Sequence, residues 1–267
     1  MTDQIHFDDG ASYERYMGVW SQRVGVEFLR WLATVPGRRW LDVGCGNGAF
    51  TELLVSQCAP SALHGIDPSV AQLDFARARP ALRDADLREG DAMALPYPNN
   101  SVDVALMPLV IFFVPDPAAG VAEMARVVAP GGLVAAYAWD MYGGGLPYHV
   151  LQREMRALGV VVPSPPSPEA SRREIMYELW RGAGLVEVET RELTVERRFA
   201  SFDEYWDIVA GWATFGRMLD AMAPETIARL RDRLRECLPA DADGSITYAA
   251  RANAVKGRVS PRDAFTS

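Results

Sequence analysis

Apolar positions recur at helical spacing over residues 12–34, where Val24, Phe28, Trp31 and Leu32 follow Ser12, a suitable N-cap, and Pro36-Gly37 breaks the run. The period then changes. Trp40-Leu41-Asp42-Val43 reads as a short strand that runs into Gly44-Cys45-Gly46-Asn47-Gly48, and a helix with Phe50, Leu53 and Leu54 follows at once. A second strand, Ala62 to Ile66, ends at Asp67-Pro68-Ser69 before an amphipathic helix carrying Val70, Leu73 and Ala76. Leu87 to Asp91 is a third strand. Val102 to Leu109 is a fourth, so uniformly apolar that burial on both faces is expected. A helix is predicted over 117–128, and Pro130-Gly131-Gly132 is expected to turn the chain into a fifth strand, Leu133 to Trp139.

Strands and helices alternating at such short intervals predict an α/β fold, a doubly wound and mostly parallel sheet. The second half is patterned differently. Gly143-Gly144-Gly145 reads as a hinge-like linker, Pro147 to Leu158 as an inserted helix, and residues 163–168 as a proline-rich loop in which Ser167 caps a helix over 169–183. Leu185 to Phe199 alternates apolar and charged residues, as a strand with one wet face does. Helices over 202–212 and 224–237 precede a last strand, Ser245 to Val255, and the tail from Ser260 is expected to fray.

The chain has 267 residues, a length that fits one domain with insertions. Hydrophobic residues make up 49% and charged residues 23%, the balance of a globular enzyme. Acids outnumber bases 35 to 27, and the net charge of -8 repels phosphate backbones, so no nucleic-acid partner is expected. Lys256 is the only lysine; no G-K-[ST] phosphate loop exists, and Schiff-base chemistry would have to use that one residue. His6, His64, His149, Cys45, Cys58 and Cys237 share no metal-ligand spacing, so no metal is expected. The absence of a signal-like start and of any apolar run near 20 residues points to a cytoplasmic protein without a membrane partner.

The chemistry starts at the glycine loop. Gly44, Gly46 and Gly48 between a strand and a helix let backbone approach a ligand, although the same pattern with Ala49 also suits a dinucleotide. Three acids separate the two. Asp42, two residues before the loop, can face an ammonium group and would repel a pyrophosphate. Asp67 ends the second strand, placed for both hydroxyls of a ribose. Asp91 and Ala92 follow the third, where a carboxylate and the next N–H can read an adenine edge. Acids at three successive strand ends describe a nucleoside bearing positive charge, as S-adenosylmethionine does.

WLDVGCGNGAF (40–50), GIDPS (65–69), EGDAMALPYPNNSVDVAL (89–106) and ARVVAPGGLVAAYAW (125–139) together resemble class I S-adenosylmethionine-dependent methyltransferases, in particular the ubiquinone/menaquinone C-methyltransferase-like small-molecule subgroup. The resemblance implies a Rossmann-like, seven-stranded, mostly parallel sheet with inserted lid helices. It divides the chain into an N-terminal cap helix (1–35), a cofactor-binding core (36–140), and lid helices with the remaining strands (141–260). It implies that Gly44 and Gly46 meet the methionine moiety, Asp67 holds the ribose, Pro68 packs on adenine, and Asp91 and Ala92 read its edge. Met107-Pro108 would pass beside the amino group. In the cap, Arg23 would pair with the cofactor carboxylate, and Tyr13 and Tyr16 would close the pocket.

The acceptor side is less defined. His149, with Asp140 and Tyr142 near it, lies beyond the fifth strand and is the candidate base. Met107-Pro108-Leu109 is not the N/D-P-P-Y loop used on amides and exocyclic amines. The bulky residues Tyr205, Trp206, Trp212, Phe215, Met218 and Met222 suggest a small apolar or aromatic acceptor where they face the pocket, with Arg217 as an anchor for an acidic group. Two alternatives stay open on the sequence: a nicotinamide-dependent oxidoreductase, and a non-catalytic cofactor-binding protein.

Overall fold

The structure, a computed structural model, describes residues 17–261, the side chains of residues 213 and 214 excepted. Helix α1 (Val19–Leu32) buries Trp20, Val24 and Phe28 along one stripe and ends where Ala33 turns left-handed. Strand β1 (Arg39–Val43) feeds the glycine loop and α2 (Ala49–Cys58). Strand β2 (Ala62–Asp67) is followed by α3 (Val70–Arg77), whose N-cap Ser69 accepts a hydrogen bond from the Gln72 N–H. Strands β3 (Asp86–Glu89) and β4 (Val102–Pro108) precede α4 (Pro117–Val127), started by Pro117 and capped by Asp116, which accepts from the Ala119 N–H. Strand β5 (Val128–Trp139) is followed by α5 (His149–Ala157), α6 (Arg173–Gly182) and β6 (Val186–Phe199). Helices α7 (Phe202–Ala210), α8 (Ala213–Asp220) and α9 (Pro224–Cys237) lead to β7 (Ile246–Arg258).

All seven strands form one sheet in the order β3-β2-β1-β4-β5-β7-β6. Only β7 runs against its neighbours. The predicted doubly wound, mostly parallel, seven-stranded sheet is the fold observed. Its central strands are sandwiched between two cores, so successive residues enter opposite layers: Val104 and Leu106 pack with Phe28, Leu54 and Tyr137, whereas Ala105 and Met107 pack with Val121, Met124 and Trp180. The buried Trp180 indole donates to the Val134 carbonyl at 2.9 Å, which ties α6 to the sheet.

Four local expectations are corrected. Pro130-Gly131-Gly132 is no turn before β5 but lies inside it. There the register with β4 steps from Val102↔Val128 to Val104↔Leu133, a bulge that the positive φ of Gly131 permits. Ser167 caps no α-helix; its hydroxyl donates to the Val114 carbonyl at 2.8 Å, and a short 3-10 turn, Pro168–Ser171, intervenes before α6. Helix α8 was not anticipated, because its eight residues are too few for a visible period. Strand β7 runs three residues further than expected, to Arg258. Ser12 and most of the fraying tail lie outside the described residues.

One feature of the sheet shapes the site. Strand β7 pairs with β5 only as far as Ala252, opposite Trp139, yet stays paired with β6 down to Ile246, opposite Phe199. The two strands therefore rise as a ribbon about 20 Å beyond the C-terminal end of β5, at about 3.3 Å per residue.

Candidate cofactor and acceptor site

The crevice lies where the strand order reverses. Strand β1 pairs with β4 through Asp42↔Leu106 and no further, whereas β1 and β2 stay paired to Val43↔Ile66. Beyond Leu106 the two central strands part, which is where open α/β sheets receive ligands. Leu109, just past β4, takes a left-handed backbone and its N–H bonds back to the Tyr137 carbonyl at 2.8 Å, turning the chain away sharply.

The glycine loop fills one side of this gap, and its three glycines have different reasons to be glycine. All have positive φ. A Cβ on Gly44 would lie 2.4 Å from a methyl of Val110, and one on Gly48 would lie 2.6 Å from Leu82, so both are required by the protein's own packing. At Gly46 a Cβ would meet nothing within 4 Å. Open space beside left-handed backbone is what a ligand approaching the main chain needs.

Asp67 comes across from the end of β2 to the same point. One carboxylate oxygen accepts from the Gly46 N–H at 2.8 Å and the other from the Ser69 N–H at 2.9 Å. Burial raises its pKa, with these two N–H bonds opposing. Each oxygen keeps a lone pair for a further donor. Asp42 is wholly buried beneath the loop; Thr51 donates to its Oδ2 at 2.7 Å, and Oδ1 has no partner. Desolvation pushes Asp42 up to about 7, with the Thr51 bond opposing and the charge of Asp67 adding. Cys45, on the loop between them, is buried and its thiol is pushed up, first by desolvation and then by both carboxylates.

The end of β3 joins the group through the Gly90 N–H, which donates to the Asp67 carbonyl at 3.2 Å. Asp91 follows, exposed, with one oxygen accepting from the Met93 N–H at 2.8 Å. Ala92 is half-buried on the α4 side. Pro68 is exposed at the rim. The structure thus brings Asp42, Gly46, Asp67 and the Asp91 turn to one edge.

Other expected residues go elsewhere. Met107 is fully buried and its side chain faces the α4 layer, away from the glycine loop. Arg23 donates to the Glu196 carbonyl on β6, at the opposite edge of the sheet, so in this structure it is a tie between α1 and the edge strand rather than a neighbour of the loop. Tyr13 and Tyr16 lie outside the described residues. Asp140 is bound to Arg251 at 2.5 Å and accepts from the Gly143 N–H at 2.8 Å, which makes it a loop anchor. His149 opens α5, half-buried against Gly144; burial lowers its pKa, Arg153 and Arg156 lower it further, and Asp140 opposes. Arg217 sits on the exposed face of α8, while Tyr205, Trp206 and Phe215 are buried.

Sequence reasoning missed Thr51, Val110 and Arg79. The Arg79 guanidinium donates to the Asn47 carbonyl at 2.6 Å and to Glu52 at 2.7 Å, clamping the loop onto α2. Only Thr51 left a trace: a hydroxyl in the first buried turn after a glycine loop, facing back toward the strand that precedes it. Among the described residues no group of three or more His, Cys, Asp or Glu could hold a metal ion, and no helix is long and apolar enough to cross a membrane.

The chain is similar to several known proteins. Residues 41–136 match the family model described as a methyltransferase domain. The chain is 30% identical over 150 residues to a fatty-acid O-methyltransferase of Mycolicibacterium smegmatis, covering 56% of this chain and 51% of that protein. Over 125 residues it is 34% identical to a demethylmenaquinone methyltransferase of Staphylococcus aureus, covering 46% of this chain and 50% of the other. The chain thus spans about half the length of the curated relatives it matches. Haemonchus contortus phosphoethanolamine N-methyltransferase 2, solved with S-adenosyl-L-methionine, superposes with a TM-score of 0.59 at 17% identity, covering 94% of this chain and 56% of that one; the likeness is one of fold.

Proposed function

We propose that this chain, whose residues 41–136 match the methyltransferase-domain model, uses S-adenosylmethionine to methylate a small, apolar or aromatic acceptor. The carrying observation is the meeting of an unpartnered buried carboxylate oxygen on Asp42, an open backbone face at Gly46 and the Asp67 carboxylate where β1 and β4 part. These fit the cofactor: Asp67 has capacity for ribose hydroxyls, Gly46 admits the methionine chain, and Asp42 offers charge to a cation. The group supplies, when bound, a methyl on a positively charged sulfur with a good leaving group, so the protein has mainly to orient the acceptor and exclude water. A dinucleotide fits less well, because Asp42, beneath the loop, would face its phosphates.

His149 is our candidate base. Its lowered pKa keeps the imidazole neutral near pH 7, able to take a proton from an acceptor. Arg23, Tyr13, Tyr16, Asp91, Ala92, Pro68 and Met107 remain proposals for the cofactor pocket. Of these, Arg23 would have to leave Glu196, and Met107 could contribute only its backbone. The acceptor class draws support from the two curated relatives, whose names specify a fatty acid and demethylmenaquinone. The net charge of -8 supports a small molecule over nucleic acid, and free cysteines suit the cytoplasm. Calorimetric titration of the full chain with S-adenosylhomocysteine and, separately, with NADH tests the reading. Binding of the first alone is expected, and binding of NADH alone would overturn it.

A further inference from the structure

The glycines of the loop are held in place by different means. Gly44 and Gly48 are wedged against Val110 and Leu82, whereas the side of Gly46 that a Cβ would occupy meets nothing within 4 Å. Glycine loses more backbone freedom than any other residue when its conformation is fixed, so Gly46 depends on hydrogen bonds of the peptides around it to stay left-handed. The peptide before it is held at both ends. Its N–H, that of Gly46, donates to Asp67 at 2.8 Å, and its carbonyl, that of Cys45, accepts from the Gly48 N–H at 2.9 Å. The same Gly48 N–H anchors one end of the peptide that begins at the Asn47 carbonyl. Arg79 anchors the other end.

Arg79 stands 32 residues further along the chain, between α3 and a short 3-10 turn, Pro80–Leu82. Its own backbone is fixed: the N–H donates to the Ala76 carbonyl at 3.1 Å, the carbonyl accepts from the Leu82 N–H at 3.0 Å, and the proline that follows keeps it extended. Leu82 is the residue wedged against Gly48, so the whole turn is built against the loop. The guanidinium divides its donors. Nε donates to the Asn47 carbonyl at 2.6 Å, and Nη1 donates to Glu52 of α2 at 2.7 Å.

The Arg79 side chain is 18% exposed and that of Glu52 41%, and an ion pair with so wet a partner adds little stability. The use of the arrangement is geometric. Glu52 aims the guanidinium, and Nε aims the peptide plane next to Gly46. A loop ordered before binding spares its ligand the ordering cost, and one ordered for only a fraction of the time binds more weakly by that fraction. Asp67 keeps the Ser69 N–H when the loop loosens, so the nucleoside end of a ligand does not depend on Arg79.

We propose that Arg79 is a positioning residue for the cofactor: by holding the Asn47 carbonyl it keeps the loop in the shape in which the open face of Gly46 receives the methionine chain. The inference rests on the methyl-transfer reading for the identity of the ligand. The full chain and two variants are titrated calorimetrically with S-adenosylhomocysteine and with methylthioadenosine, which carries the same nucleoside and no amino-acid end. Arg79→Lys keeps a cation for Glu52 but has no Nε donor for the carbonyl. It is expected to bind S-adenosylhomocysteine about tenfold more weakly, and methylthioadenosine within about twofold of the parent. Glu52→Gln leaves Nε on the carbonyl and an acceptor for Nη1, and is expected to bind both as the parent does. Unchanged S-adenosylhomocysteine affinity in Arg79→Lys overturns the proposal. So does an equal loss of both ligands, as a general loosening of the fold would give, and so does a loss in Glu52→Gln matching that in Arg79→Lys. The Glu52→Gln comparison decides alone where methylthioadenosine binds too weakly to titrate. A parent that binds no S-adenosylhomocysteine sinks the methyl-transfer reading and this proposal with it, whereas a parent that binds it, with any of the three adverse outcomes, sinks the proposal alone.

Discussion

Asp42→Asn separates the stability of the glycine loop from its use. In the folded protein the Asp42 carboxyl is pushed up to about 7 by burial, whereas in the unfolded chain it titrates near 3.8. Between those values the folded state holds a proton that the unfolded state has lost. Stability therefore falls as pH rises through this window, and Asp42 in its charged form opposes folding above pH 7. From pH 5 to pH 8 the folded carboxyl spends about two pH units protonated while the unfolded one is not. At about 1.4 kcal/mol per unit, this amounts to a loss of about 3 kcal/mol. Asparagine keeps an acceptor for the Thr51 hydroxyl and places an amide, at a cost of about 1–3 kcal/mol, where Oδ1 already lacks a partner. The variant is thus expected to approach wild-type stability at pH 5 and to gain on it by about 3 kcal/mol toward pH 8, while binding S-adenosylhomocysteine more weakly at both. Urea unfolding at the two pH values, with calorimetry alongside, measures both effects. A constant stability difference across the range would refute the buried-charge account, and undiminished binding would refute the role of Asp42 toward a cationic ligand.

Four other substitutions follow from the same geometry. Asp67→Ala is expected to weaken S-adenosylhomocysteine binding by about 1–3 kcal/mol in calorimetry, the loss of charge-assisted hydrogen bonds, and unchanged affinity would relocate the ribose. Gly44→Ala meets a rigid valine methyl at 2.4 Å and should destabilise by about 2–4 kcal/mol in thermal melts. Gly46→Ala meets only open space, so it should cost about 1 kcal/mol of stability yet abolish most ligand binding; equal melting losses for the two would contradict the packing argument. Thr51→Val removes the donor that holds Asp42 Oδ2 and should lower stability by about 1–3 kcal/mol at pH 8 and less at pH 5, where the protonated carboxyl needs it less.

The alternation of apolar runs with helical stripes, together with a glycine loop and three acids at strand ends, was enough to read the class of sheet and the family resemblance from the chain alone. That is because each signal is local: a strand buried on both faces has to be apolar along its whole length, and a tight strand-to-helix turn has to carry glycine. Asp67 and Gly46 could be named separately for the same reason, although they are 21 residues apart and touch only because β1 and β2 are neighbours. Arg23 could not be placed. Its helix crosses from α2 to the far edge of the sheet, and nothing in a helical period says which strand its polar face meets.

The chain by itself therefore settled the order of elements, the identity of the glycine loop and the acids that flank it. Only the tertiary structure decided that, of the three loop glycines, Gly46 is the one with room beside it, and that Asp42 Oδ1 is buried without a partner while Oδ2 is held by Thr51. Burial and satisfaction of polar atoms are properties of the packed whole, set by long-range neighbours that no local pattern encodes.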